Sequence, residues 1–473
     1  MASRRTIRIA LVAVVVLSAL VLVAGYLGSP GDGLRQGDQS VEQAFRSGAD
    51  EPVVEPRENV TVVATDSNAV VSDDGSGPRA QAELVAFDTD GSVLYHNDTH
   101  TRYWDVDPEP NTTHTVTYVF AHHLDESECS AETVCTRNGI ERVNLSTGET
   151  ERLYSRVTPG KHSTRWHDAD RIDDDRFVVA DIYRDRVYVA NVTTGLTEWE
   201  WQAQEDFPLS GGGPFPDDWT HVNDVEVLDD GTIMASLRNQ DQVVFLDPET
   251  GLQENRTLGE EDDYEVIYEQ HNPDFVPESE GGPAVLVADS ENGRVVEYEP
   301  EDPEAFRTGE EDVEWERTWR WSDARMQWPR DADRLPNGHT LITDSNGDRV
   351  FEIDDEGEVV WSADVGFPYE AERLGTGDES AGGPAASEAD IPSRTADEVG
   401  EDAGPVGRVT AAVVGLLPPK VVNAVAYVLP SWVGTLELLA LLAGVPALLG
   451  LGVAEWRWSG RSVEFRWPVR FRR

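Results

Sequence analysis

The stretch that decides the fold begins His221-Val222-Asn223-Asp224-Val225-Glu226-Val227-Leu228-Asp229-Asp230-Gly231. It continues Thr232-Ile233-Met234-Ala235-Ser236 and, after a turn, Val243-Val244-Phe245-Leu246-Asp247-Pro248-Glu249-Thr250-Gly251. The apolar runs are short, and Asp230-Gly231 is a two-residue hairpin signal. The block recurs four times between residues 165 and 366, starting at Arg165, His221, His271 and Trp328. Each start lies three residues before an aligned aspartate, and Asp168, Asp224, Asp274 and Asp331 are 56, 50 and 57 residues apart. A period of about 50 residues built from short strands fits one propeller blade with loops to spare.

Working outward, Phe177-Val178-Val179-Ala180 pairs with Val187-Tyr188-Val189-Ala190, and Thr340-Leu341-Ile342-Thr343 pairs with Val350-Phe351-Glu352-Ile353. Tryptophans mark the outer strands: Trp199, Trp201, Trp319, Trp321 and Trp361. Upstream, Arg102-Tyr103-Trp104-Asp105 with Thr115 to Phe120 and Ile140 to Asn144 reads as a further blade, and Val60 to Leu94 supplies another. The predicted fold is all-β: a six-bladed β-propeller over residues 58–368, or seven-bladed if the N-terminal region closes differently, flanked by N- and C-terminal transmembrane helices.

Residues 1–28 carry three arginines ahead of an unbroken apolar run, Ile9 to Leu27, which reads as a membrane anchor or a signal sequence. Residues 29–57 read as an acidic tether and 369–405, rich in Gly, Ala, Ser, Asp and Glu, as a disordered acidic linker. Residues 406–430 are apolar but interrupted by Pro418-Pro419-Lys420, which predicts an interfacial segment. Residues 431–456 read as a second span, and 457–473 as a basic cytoplasmic tail. Two spans with both ends inside place the propeller on the extracellular side of the cell membrane. Six Asn-x-Ser/Thr sequons, at Asn59, Asn97, Asn111, Asn144, Asn191 and Asn255, all fall in that external part and suggest a glycoprotein. Cys129 and Cys135 share one polar loop, where an oxidising compartment would allow a local disulfide.

Among 473 residues, 90 are acidic and 38 basic, for a net charge of −52. The surplus is spread along the soluble part, which points to a halophilic surface. Nucleic-acid binding is disfavoured, because no basic patch exists outside the termini.

In a propeller, equivalent positions of the blades converge on the axis. The position three before the aligned aspartate holds Arg165, His221, His271 and Trp328. The position one before it holds His167, Asn223, Pro273 and Arg330. Arg238 follows the second strand of the His221 blade. Together they predict a cationic, hydrogen-bonding funnel that selects a small anion. The aspartates themselves read as structural acceptors for backbone N–H groups.

These residues carry a resemblance. Trp219-Thr220-His221-Val222-Asn223, Ser236-Leu237-Arg238, Asp247-Pro248-Glu249-Thr250-Gly251 and Gln270-His271-Asn272 occur in the order W-x-H-x-N, S-x-R, D-x-x-T-G and Q-H. That series resembles the aryl sulfotransferase family, which uses phenolic sulfates in place of a nucleotide donor, here in a haloarchaeal, membrane-anchored form. Trp166-His167-Asp168 is similar to the family's earlier His-Asp element. The resemblance covers about residues 100–366 and implies sulfuryl transfer from an aryl sulfate to a phenol by a ping-pong cycle. It makes His271 the nucleophile that becomes a sulfohistidine. It places His221, Asn223 and Arg238 on the sulfate oxygens and makes His167 a proton shuttle. Arg165, Arg330 and Trp328 would line the substrate site. No cofactor, metal or nucleic-acid partner is expected, only a small aryl sulfate and a phenol.

Two other functions fit parts of the sequence. The Thr194-Gly195 turn followed by Trp199 also resembles quinoprotein propellers, a redox class with eight blades and a Glu/Asn/Asp metal site. A non-catalytic surface propeller that binds a ligand is the other alternative.

Overall fold

A computed structural model describes residues 3–28, 45–46, 52–67, 82–129, 134–160, 164–323, 325–377, 382–395, 418–429, 433 and 435–459. The strands form six four-stranded antiparallel sheets arranged as the blades of a propeller. Five blades are continuous in the chain. In blades 2 to 6 the innermost strands are Arg102–Pro108, Trp166–Asp168, Val222–Val227, His271–Val276 and Pro329–Arg334. Blade 1 joins the two ends of the domain: Pro368–Arg373 is its innermost strand and pairs with Thr61–Thr65. The strand order Pro368–Arg373, Thr61–Thr65, Leu84–Phe87, Val93–Asn97 therefore closes the ring through main-chain hydrogen bonds.

The number of blades is six, and the seven-bladed alternative falls. The propeller also runs past the expected boundary. Pro368–Arg373 reaches from the last expected propeller residue into the stretch read as linker, yet it is a strand, buried except at half-buried Glu370. Residues 382–395 also pack back on the blades: Ala386 N–H donates to Glu297 at 2.6 Å, and Trp319 Nε1–H donates to the Pro392 carbonyl at 3.2 Å.

Both faces of every blade are covered by its neighbours, so inner strands such as Thr61–Thr65 and Ala284–Asp289 are buried throughout. Alternate residues serve opposite interfaces. Val62, Leu84 and Ala86 pack on Tyr103, Val116 and Tyr118 of blade 2, whereas Val63, Val85 and Phe87 pack on Leu341, Val350 and Trp361 of blade 6. A fully buried Val or Leu contributes about 1.5–3 kcal/mol, against about 1 kcal/mol for strand propensity, so packing between blades decides the architecture. The tryptophans assigned to outer strands lie there: Trp199 and Trp201 on Leu196–Gln202, Trp319 and Trp321 on Trp315–Trp321, Trp361 on Val359–Asp364. Gly231 sits at φ 84° and Gly338 at φ 81°, the left-handed conformation that the Asp-Gly and Asn-Gly hairpins need. Cys129 and Cys135 are disulfide-bonded, with Cα atoms 5.8 Å apart.

Helix α1 is Arg4–Gly28, α2 is Pro303–Thr308, α3 is Pro419–Val428 and α4 is Thr435–Trp458. Two spans, Arg4–Tyr26 and Leu436–Trp458, are long and apolar enough to cross a membrane. The helices α1 and α4 lie antiparallel: Arg8 pairs with Glu455 near one end, and Gly25 abuts Glu437 near the other. The basic tail, 457–473, lies outside the described residues after Ser459.

Candidate active site

A repeated defect in the sheets builds the mouth of the channel. The pairing of each innermost strand slips at the same level: between Tyr103 and Val106, Trp166 and Asp168, Val222 and Asp224, His271 and Asp274, and Pro329 and Asp331. In blade 1 the slip falls at Ala64/Thr65, opposite Pro368–Arg373. A bulge resets the two-residue alternation of a strand. The ring carboxylate and the residue just before it can then both face the axis. His221, Trp328 and Phe367 adopt φ of 50°, 69° and 53°, so these turns are strained at bulky residues, a pattern met at functional sites.

The structure brings His167, His221 and His271 to one mouth. The rings of His167 and His221 are 5.1 Å apart, and Tyr369 lies 5.5 Å from His167 and 6.0 Å from His271. Trp328 stands 6.1 Å from His271 and Trp104 4.1 Å from His167. Arg330 stacks on Trp328 at 4.2 Å and on Tyr369 at 4.6 Å, and Arg165 on Trp104 at 4.8 Å. Asn223 is fully buried, with its amide donating to the Gln270 carbonyl at 2.9 Å. Arg238 is paired with Glu269. Its position corresponds to Ser290 and Ser345 in blades 5 and 6. There, a preceding aspartate, Asp289 or Asp344, pairs with Arg294 or Arg349. Leu237 replaces that aspartate in blade 4.

Four residues of the mouth escaped the sequence reading: Arg102, Trp104, Phe367 and Tyr369. The signal was present. Asp105 and Glu370 occupy the aligned carboxylate position in blades 2 and 1, and the offsets of three and one give these four residues. The innermost strand of blade 1 comes last in the chain, apart from the run of four aspartates that sets the register.

Electrostatics separates the imidazoles. Burial, then Arg330 and Arg238, pushes His271 well below the ordinary histidine range. Burial, then His221 and Arg165, does the same to His167. His221 is also lowered by burial, partly offset by Asp218, whose carboxylate accepts from its Nδ1 at 2.5 Å. The tautomer of His271 follows from its neighbours. Nδ1 is 3.1 Å from the Glu269 carbonyl, which can only accept, and 2.8 Å from Ser290 Oγ. The Ser290 hydroxyl is itself 2.6 Å from the Pro329 carbonyl, to which it donates. Nδ1 therefore carries the proton, and Nε2 holds the lone pair.

The arginines gather positive charge at the mouth. Among the described residues Arg165 has no carboxylate partner. Arg330 has only Asp66 at 3.8 Å, and Arg102 holds Asp66 more closely, at 2.7 Å. Buried guanidinium groups without full compensation are costly, and an anion would offset that cost. Below the mouth four of the six aligned carboxylates act as interblade acceptors. Asp105 accepts from Ala169 N–H at 3.1 Å, Asp331 from Ala371 N–H at 3.1 Å and Glu370 from Val106 N–H at 2.8 Å, and Asp168 accepts from Val225 N–H.

Helix α3 lies across the opening. Lys420 pairs with Glu269, Asn423 Nδ2 donates to Glu291 at 3.0 Å, and Tyr427 packs on Trp328 and Phe367 at 5.8 and 5.7 Å. Under it His271 is 1% exposed and His167 3%.

The fold is thus a six-bladed β-propeller with imidazoles and guanidinium groups gathered at its axial mouth. Residues 83–366 match the family described as Arylsulfotransferase (ASST), and the chain belongs to that family. No curated protein matches the sequence. Among solved structures, a Bacteroides caccae protein of unknown function is 11% identical, covering 66% of this chain and 97% of its own, with a TM-score of 0.43. A periplasmic gluconolactonase of Pseudomonas aeruginosa is 15% identical, covering 67% and 99%, with a TM-score of 0.41. Virginiamycin B lyase of Staphylococcus aureus is 12% identical, covering 55% and 69%, with a TM-score of 0.32. These likenesses carry nothing about the reaction.

Proposed function

We propose that the chain moves a sulfuryl group from an aryl sulfate to a phenol through a sulfohistidine at His271. The observation that carries this reading is the fixed Nδ1–H of His271, which leaves Nε2 as an unprotonated nucleophile in a cationic mouth. In the first half-reaction the Nε2 lone pair attacks sulfur, the S–O(aryl) bond breaks and the aryl oxide leaves. In the second, the acceptor oxygen attacks sulfur and the N–S bond breaks, returning its electron pair to Nε2. The acceptor's proton passes to neutral His167 and then to solvent. Arg330, Arg165 and Arg238 offset the charge on the sulfuryl oxygens, with Asn223 and His221 beside them. Trp328 and Tyr369 give an aryl ring apolar walls. Because His167 rests unprotonated, no acid stands ready for the first leaving group, so donors with acidic phenols are favoured.

Substrates reach the mouth when α3 lifts. The antiparallel pair α1 and α4 supports a reading in which both chain ends lie on one side of a membrane and the propeller on the extracellular side. The even spread of acid suits a halophilic setting. A quinoprotein role is not favoured, because the eight blades it expects are absent.

The test uses the full-length protein in detergent and high salt, with p-nitrophenyl sulfate and phenol. Transfer and a sulfated His271 peptide after donor alone are expected, and both should vanish in His271→Ala. Transfer that survives this substitution would overturn the assignment.

A further inference from the structure

We propose that the channel beneath the mouth binds one divalent cation, calcium-like in its preferences, between Asp274 of blade 5 and Asp331 and Asp333 of blade 6. The three side chains each offer a carboxylate oxygen, and these oxygens lie within 4.8 Å of one another. Proximity alone would not make a site, because the channel is rich in carboxylates. The hydrogen bonds distinguish this group.

Most of the channel's acids are served by the next blade. Asp170 accepts from Val227 N–H at 2.6 Å and Glu226 from Phe275 N–H at 2.8 Å, in the same manner as Asp105, Asp168 and Glu370 above. Asp274 and Asp333, like Asp224, break the pattern. Oδ2 of each is buried with no hydrogen-bond partner, and the residues are only 3% and 4% exposed. Buried polar atoms are rarely left so, and each calls for an explanation such as an ion. The other candidate cluster, Asp105, Asp107 and Glu370, is weaker. Both oxygens of Glu370 are occupied, by Val106 N–H at 2.8 Å and the Asn272 amide at 2.9 Å.

The donor set is all carboxylate, with no imidazole or thiolate, which suits a hard cation. Oxygens held about 2.3–2.6 Å from calcium can stand up to about 5 Å apart, whereas the shorter magnesium bond of about 2.0–2.1 Å asks for a tighter group. Water would fill the remaining coordination positions. Burial and mutual repulsion hold the Asp274 and Asp333 carboxyls well above their usual range, the expected state of such a cluster without its counter-ion. The ion would pin the strand carrying His271 to the strand carrying Arg330. It takes no part in sulfuryl transfer, and the proposal stands independently of that reaction.

The test uses full-length protein stripped with chelator and returned to potassium chloride with added calcium. Bound calcium is counted by elemental analysis after desalting, and unfolding is followed by tryptophan fluorescence. About one ion per chain and a rise of several degrees in the melting midpoint are expected. Asp333→Asn should lose both the ion and the rise. Its chelated form should melt no lower than chelated wild type, because an amide cannot ionise and adds no charge to the cluster. Asp274→Asn provides the second variant. Wild type that retains no calcium and shows no shift overturns the site. So does a wild-type response that survives both substitutions, or a full response to magnesium with none to calcium.

Discussion

His271 has one nitrogen to offer. The Glu269 carbonyl and Ser290 hydroxyl take Nδ1, so in the proposed transfer the reactive atom is Nε2, set by two acceptors on the other side of the ring. Ser290 is thus a positioning residue. Ser290→Ala should lower kcat about tenfold and leave KM near wild type, whereas His271→Ala should cost at least about a thousandfold. Steady-state kinetics with p-nitrophenyl sulfate distinguishes them, and an unchanged kcat in Ser290→Ala would remove the serine from the argument. The pH profile follows from the same burial. A histidine lowered by burial and by neighbouring arginines stays neutral as the solution passes the ordinary value of about 6.5. The acid limb of kcat/KM should therefore fall clearly below that value. A limb at or above it would mean that the imidazoles are solvated.

At the scale of elements, the register of the blades was legible and their closure was not. An offset of three and one from a repeated aspartate found Arg165, His167, His221, Asn223, His271, Trp328 and Arg330, because each inner strand bulges at the same level. Pro368–Arg373 was hidden by its polarity. Glu370, Glu372 and Arg373 read as linker, yet Glu372 and Arg373 are buried and Glu370 half-buried, because the channel is lined with carboxylates rather than apolar side chains. Helix α3 was hidden differently. Its apolar composition suggested a membrane surface, but Lys420, Asn423 and Tyr427 are spaced three and four residues apart and lie on one helical face. Those three make the contacts with the mouth. If α3 is a lid, Tyr427→Ala should raise kcat/KM several-fold, most for bulky phenols, without moving the acid limb. Stopped-flow comparison of small and bulky acceptors checks this; equal or lower kcat/KM for every acceptor would make α3 a fixed part of the wall.

At the scale of the molecule, a chain of net charge −52 also keeps acids in its interior, and the two populations respond differently to conditions. Exposed carboxylates repel one another through water, and salt at about 1 M shortens that repulsion to about 3 Å. Those in the channel are beyond the reach of salt. Burial raises Asp168 to about 7, even though Val225 and Ala169 N–H groups favour its ionised form. The sign follows from proton binding. The folded state keeps this proton up to about pH 7, while the unfolded chain gives it up near 3.9. Its contribution to stability is complete below the unfolded value and is lost as pH rises through the folded one. Lowered histidines run the other way: His167 and His271 take up protons only on unfolding, so they weaken the fold as pH drops below about 6.5. Asp168→Asn separates the two trends, because its amide oxygen can still accept from Val225 N–H and its charge cannot return. In high salt the variant should match wild type near pH 4.5, exceed it by several degrees at pH 7.5, and show a flatter melting profile between. Parallel profiles, measured by tryptophan fluorescence, would show that Asp168 is already ionised in the fold and that some other group in the channel holds the proton.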